Sequence, residues 1–241
     1  DGAGLAARAA RGPWSGKVLD PPMAVPWEQH AIERVRQLFS QALQYPLPDS
    51  VADSGLQKQQ ASKGYARKKL LFFHGTTWAS KHWPSSHWRA LAEIASAHQV
   101  EVSLPWADEV ERQRAQQIAY GLPGVALLER QPLAELFSTI QTHDGFVAVD
   151  TGLAHLACAA GLPGVVLYGP TSPGLTGATG AHTVNLAAEF HCAPCLRQHC
   201  QFTPEPNQQA FPPCFAALTA QRVWDQLVAL GAVPNLAASN A

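Results

Sequence analysis

The sequence has no surplus of either charge. Its 17 basic and 18 acidic residues give a formal charge of −1, which excludes the broad basic face that nucleic-acid binding requires. No apolar run approaches the ~20 residues of a membrane span. With a mean hydropathy of −0.08, this points to a soluble protein. The stretch from Asp1 to Arg11 is Ala-rich but lacks the unbroken apolar core of a secretory signal. An initiating methionine and an opening β-strand are also missing, so the start is expected to be that of a truncated or excised chain. Cysteine is scarce. Its five thiols, in a cytosolic setting, are expected to be reduced or metal-bound rather than disulfide-linked. The 241 residues, 46% of them hydrophobic, suffice for one large domain, or for one domain and part of another.

The early chain is broken by Gly12, Pro13, Pro21, Pro22 and Pro26. A helical pattern then runs from Glu28 to Gln44, with Ile32, Val35, Leu38, Phe39 and Leu43 at helical spacing. Pro46 to Lys68 is polar and suits a linker or surface excursion. From Lys69 the texture changes. Leu70-Leu71-Phe72-Phe73 is the short apolar run of a buried parallel strand. Strands are predicted at Val100–Leu104, Val125–Leu128, Gly145–Val149 and Gly164–Tyr168. Helices are predicted at about His87–His98, Glu109–Tyr120, Leu133–Gln141 and Leu153–Ala160. This alternation predicts an α/β domain with a doubly wound, Rossmann-like parallel sheet. Its ligand edge lies at the strand C-termini.

Four loops on that edge hold most of the suggestive polar residues. The first runs from His74 to Pro84 and offers Gly75, Thr76, Thr77 and Lys81. Together these suit a diphosphate whose charge rises as a leaving group departs, although an ordinary loop before a Trp-anchored helix fits the composition as well. The second, Leu104 to Asp108, leads into Glu109 and Glu111. A carboxylate there can accept a ribose diol, or simply serve as a helix-dipole partner. The third, Val149 to His155, places Asp150 at the end of an apolar strand, before Thr151 and a helix opened by Gly152. Amides at that helix start can face phosphate. Asp150, anionic itself, fits sugar hydroxyls better than phosphate, or it is a helix cap with His155 half-buried beside it. The fourth, Tyr168 to Pro173, is a rigid turn able to close over a ligand.

HGTTWASKHWP (74–84), LPWADEVERQRA (104–115), VAVDTGLAHLACAAG (147–161) and LYGPTSPGLTGATG (167–180) resemble, in order and spacing, the heptosyltransferases of glycosyltransferase family 9. EQHAIERVRQLFSQALQYP (28–46) is similar to that family's passage between its two domains. The resemblance extends from about Trp27 to Leu230. It implies a GT-B fold, with residues 1–68 a remnant of the N-terminal acceptor domain and 69–241 the C-terminal nucleotide-sugar-binding domain. It also implies an inverting transfer of L-glycero-D-manno-heptose from an ADP-linked donor to Kdo of the lipopolysaccharide inner core. TTWASKHWP favours that acceptor over an outer heptose. By the same resemblance, Thr76, Thr77 and Lys81 contact the diphosphate, Glu111 the ribose and Asp150 the heptose. Thr151, Gly152 and His155 lie beside the phosphates. Lys81 and Asp150 are thus the catalytic candidates, with no cofactor and no metal required. The family's presumed catalytic Asp sits in an N-terminal Gly-rich loop that residues 1–68 do not resemble, and Asp1 and Asp20 stand in the wrong context. Donor binding without turnover is therefore a competing expectation for this chain. The location implied is cytoplasmic, with transient contact at the inner membrane where the Kdo-lipid A acceptor lies, and no nucleic-acid partner.

Cys192, Cys195, Cys200 and Cys214 are close in sequence and could hold zinc tetrahedrally, though their spacing is not that of a standard finger. Reduced free thiols are the default expectation. Cys158, on the helix after Asp150, is expected in the core. A zinc-dependent interaction domain would account for these cysteines alone and leave the four loops unexplained.

Overall fold

The computed structural model describes residues 23–50, 52–56, 67–204 and 210–235. The early loop around Gly12 to Pro22, Asp1, Asp20 and much of the polar stretch before Lys68 lie outside the described residues. The chain divides into two compact units, Asp1–Asp53 with Gly174–Gly177, and Ser54–Pro173 with Ala178–Ala241. In the first, helix α1 (Ala31–Leu43) starts where the His30 ring accepts the Ile32 N–H, and ends at Gln44 in the left-handed region. No residue of α1 is buried, and Val35, Phe39 and Leu43 are exposed. Among the described residues, no helix is long and apolar enough to cross a membrane.

The second unit is built on six parallel strands: β1 (Lys69–Phe73), β2 (Glu101–Leu104), β3 (Val125–Leu127), β4 (Gly145–Val149), β5 (Gly164–Tyr168) and β6 (Thr183–Ala187). Their order is β3-β2-β1-β4-β5-β6, so the winding reverses between β1 and β4. A ligand of such a sheet sits at that reversal, outside the strand C-termini. Helices α2 (Ser85–Ala97), α3 (Glu109–Ala119), α4 (Leu133–Gln141), α5 (Gly152–Ala159) and α6 (Ala220–Ala229) cover the sheet.

Alternation along the strands explains the two-sided core. Leu70, Phe72, Val147 and Val149 face the cluster built with Trp88, Leu91, Ile118, Val223 and Leu227. Leu71, Phe73, Phe146 and Ala148 face the opposite cluster with Leu136, Ile140, Ala154 and Ala157. Leu70, Leu71, Phe72 and Phe73 are buried on both sides. Each such side chain contributes roughly 1.5–3 kcal/mol, which fixes the strand whose end carries the first loop. The Trp83 indole donates to the Leu218 carbonyl at 2.8 Å and packs edge-on to Trp88, 4.9 Å between ring centres. The far end of that loop is thereby pinned to the core. Gly164 pairs with Phe146 across β4 and β5. A Cβ at Gly164 would lie 2.3 Å from the Phe146 ring and 2.6 Å from its carbonyl oxygen.

The α/β fold, the parallel pairing and the shared edge of the four loops match the sequence expectation. Beyond Tyr168 the sequence reading named no element, and there the structure adds β6 and α6. TVNLA is only partly buried, so it shows neither a continuous apolar run nor a clean alternation.

Candidate functional site

The first loop leaves β1 at His74 and turns through a 3-10 segment, Ala79–Lys81. The third leaves β4 at Asp150. Because β1 and β4 are neighbours, these loops meet at the reversal of the sheet. Lys81 Nζ lies 2.8 Å from Asp150 Oδ2, with the two side chains only 16% and 7% exposed. This is a charge contact whose angles miss those of a hydrogen bond, so no donor is aligned on that oxygen. The Lys81 ammonium also stands 4.5 Å from the centre of the Trp78 ring, a cation–π distance. The Thr76 hydroxyl donates to the Asp150 carbonyl at 3.3 Å, a second tie between the loops.

Asp150 is not the helix cap that one reading of the sequence allowed. The N-cap of α5 is Thr151, and its side chain makes no capping bond. Gly152 opens the helix on the exposed side, and His155 is exposed one turn later. Thr77 is exposed as well.

The second loop joins through Glu111. Asp108 caps α3 by accepting the Glu111 N–H at 2.9 Å, while Glu111 Oε2 accepts the Ala107 N–H at 2.8 Å. This reciprocal pair resembles a capping box shifted by one residue. Glu111 therefore does serve the helix start, as the alternative reading held. Its carboxylate also lies against Gly75, where a Cβ would come 2.0 Å from Oε1. Only glycine admits the carboxylate there.

Beneath these groups lies a layer that the sequence did not announce. His74 is fully buried, with its ring edge-on to Trp88. Burial, then the charge of Arg114 and the neighbouring His82, lower its pKa from 6.5 to about 4, while the nearby Pro105 carbonyl opposes the shift without hydrogen-bond geometry. Arg114 donates to His82 Nδ1 at 3.1 Å. The His82 pKa is lowered by burial and then by Arg114, against the His74 carbonyl. The arrangement keeps neutral imidazoles under a cationic guanidinium. A usable signal was present in sequence: Asp108, Glu111 and Arg114 recur every three residues along one face of a helix start.

A short loop further along braces this edge. Ser80, the neighbour of Lys81, donates its N–H to the Gln198 carbonyl at 3.0 Å and its hydroxyl to the Arg197 carbonyl at 2.5 Å. The Leu196 N–H reaches the Pro170 carbonyl at 2.8 Å. Burial and the adjacent thiols of Cys200, Cys192 and Cys195 push Cys214 up to about 12. Cys158 is buried, as expected for a core residue.

The assembled edge thus offers a half-sheltered cation, a carboxylate with free acceptor capacity, a second carboxylate over a glycine, and the amide end of α5. That set suits a ligand with an anionic centre flanked by hydroxyl-bearing groups. Comparison with known proteins supplies the family. Residues 3–205 match glycosyltransferase family 9 (heptosyltransferase). The chain is 45% identical over 241 residues to lipopolysaccharide heptosyltransferase 1 of Pseudomonas aeruginosa, covering 97% of this chain and 68% of that protein. E. coli heptosyltransferase WaaC, solved with ADP, superposes with a TM-score of 0.68 at 28% identity, covering 92% of this chain and 63% of that one. The same enzyme with ADP-2-deoxy-2-fluoro heptose gives 0.60 at 30% identity, covering 76% and 57%. The chain therefore spans between about half and two thirds of the length of these relatives. With the sheet reversal, its loops and these likenesses together, the chain belongs to glycosyltransferase family 9, the heptosyltransferases.

Proposed function

We propose that residues 69–241 bind the donor, ADP-L-glycero-D-manno-heptose, for inverting transfer of the heptose to Kdo of the lipopolysaccharide inner core, with residues 1–68 drawn from the acceptor side. The observation that carries this reading is the Lys81–Asp150 pair at the reversal between β1 and β4. A lysine ammonium has three donors, so Lys81 can hold Asp150 and still meet a diphosphate. Thr76, Thr77 and the amides at Thr151 and Gly152 supply neutral donors around it, with His155 one turn away. Asp150 keeps lone pairs for heptose hydroxyls, held by charge in a fixed orientation. Glu111 uses one oxygen on Ala107 and retains the other for the ribose.

As the glycosidic bond breaks, negative charge grows on the departing diphosphate. In this reading Lys81 and the start of α5 stabilise that charge without reorganising, and no metal is required. The lipid-linked acceptor implies work at the cytoplasmic face of the inner membrane, by transient contact.

Titration calorimetry with ADP tests the reading. Lys81→Ala removes a charged hydrogen bond worth ~1.5–3 kcal/mol, so ADP should bind roughly ten- to a hundredfold more weakly. Equal ADP affinity in both proteins removes Lys81 from the site. Absence of ADP binding in the wild type and the variant alike rejects the donor assignment.

A further inference from the structure

Four thiols have no part in donor binding. Cys192, Cys195 and Cys200 come from the loop that braces Ser80, and Cys214 from a 3-10 turn, Pro213–Phe215. All four line one cavity of about 20 Å³, with Ser80 and Phe190 also in its wall. None is in a disulfide. The volume suffices for one water-sized occupant. Two thiols separated by two residues, with two more from nearby turns, are a common source of four-sulfur coordination. Such soft, tetrahedral sites select zinc or iron over oxygen-seeking cations.

We propose that Cys192, Cys195, Cys200 and Cys214 form a four-thiolate site for a single transition-metal ion, zinc or iron. Among the described residues, no three potential ligands already close on one point. Binding therefore draws the sulfurs inward by rotation about their Cα–Cβ bonds, and each thiol releases its proton as it ligates. Four protein ligands leave no open position, which makes the site structural rather than catalytic. Its purpose follows from its neighbours. Closing the loop on an ion fixes the Arg197 and Gln198 carbonyls that hold Ser80, the residue before Lys81.

The reduced, purified chain is titrated anaerobically with Co²⁺, and the visible spectrum is recorded. The expected result is one Co²⁺ per chain, with the absorption of tetrahedral cobalt–thiolate, displaced by Zn²⁺. Serine at any of the four positions should abolish that spectrum. Cys158→Ser, whose thiol contacts the Thr183 hydroxyl instead, should retain it. Elemental analysis of chain isolated without chelators distinguishes zinc from iron. A second measurement does not depend on variants that fold: Zn²⁺ should protect four of the five cysteines of the wild type from alkylation, counted by mass, and raise its melting temperature. Alkylation unchanged by Zn²⁺, together with no cobalt–thiolate absorption, overturns the proposal. A Cys192–Cys195 disulfide formed in preference to metal binding overturns it too.

Discussion

Replacing Asp150 by asparagine separates two roles that the wild-type geometry merges. The carboxylate is 7% exposed and stands 2.8 Å from Lys81, itself 16% exposed. Removing one partner of a fully buried pair costs ~3–5 kcal/mol. Lys81 keeps some water, so about 2 kcal/mol is the appropriate scale here. For a chain of this size that lowers Tm by about 4–8 °C. Ligand binding should respond differently. With the carboxylate gone, the ammonium is released to the diphosphate and a like-charge repulsion disappears. ADP should then bind unchanged, or up to about tenfold tighter. If the carboxylate also accepts heptose hydroxyls, ADP-heptose loses a charged acceptor worth ~1.5–3 kcal/mol. The ratio of ADP-heptose to ADP affinity should fall ten- to a hundredfold, or roughly that. Calorimetry on both ligands, with melting curves in the same buffer, measures every term. A lowered Tm and altered ADP affinity with an unchanged ratio would refute the sugar contact and leave Asp150 as a positioning residue for Lys81.

Two more outcomes follow from the layer below. His74 binds its proton far less readily in the fold, at about 4, than in the unfolded chain. The unfolded state therefore takes up more protons between pH 6.5 and 4, and stability falls as pH drops through that window. By pH 4.5 the loss from His74 alone is about 2–3 kcal/mol. His74→Leu should flatten this part of the pH–Tm curve, and an identical slope in the variant would show that the loss arises elsewhere. Gly75→Ala should push the Glu111 carboxylate off Ala107, because the new Cβ would fall 2.0 Å from Oε1. The carboxylate is the end of a flexible side chain, so the fold should lose no more than about 1 kcal/mol. If Glu111 grips the ribose, ADP affinity should drop about tenfold, with Glu111→Ala adding nothing further in the double variant. Undiminished ADP binding in Gly75→Ala would release Glu111 from that role.

How far the sequence reached depended on the range of the signal. LLFF within β1 and GFVAV in β4 announce buried strands because each of those residues is buried, and the loops that follow inherit their placement from the parallel pairing. β6 and α6 were missed because their apolar residues are fewer or lie beyond a long irregular stretch. The pairing of Lys81 with Asp150 joins positions far apart in the chain, and no local pattern encodes it. His74 reads in sequence as one polar residue among several in a loop. Its burial arises only once Trp88, Arg114 and His82 have assembled around it. Glu111 was legible as an acid in a first helical turn, but its overlap with Gly75 belongs to the meeting of two loops.

The contact at Gly164 bears on how this sequence can change over generations. A single compensating replacement elsewhere cannot clear room for a side chain there. Trimming the Phe146 ring would lift one obstruction, but the Phe146 carbonyl, 2.6 Å from the would-be Cβ, belongs to the backbone itself. Relief requires β4 and β5 to part, and these are the strands that deliver Asp150 and the Tyr168–Pro173 turn. Selection for the spacing of the site is thereby imposed on a glycine at the opposite end of the sheet, the first residue of its strand.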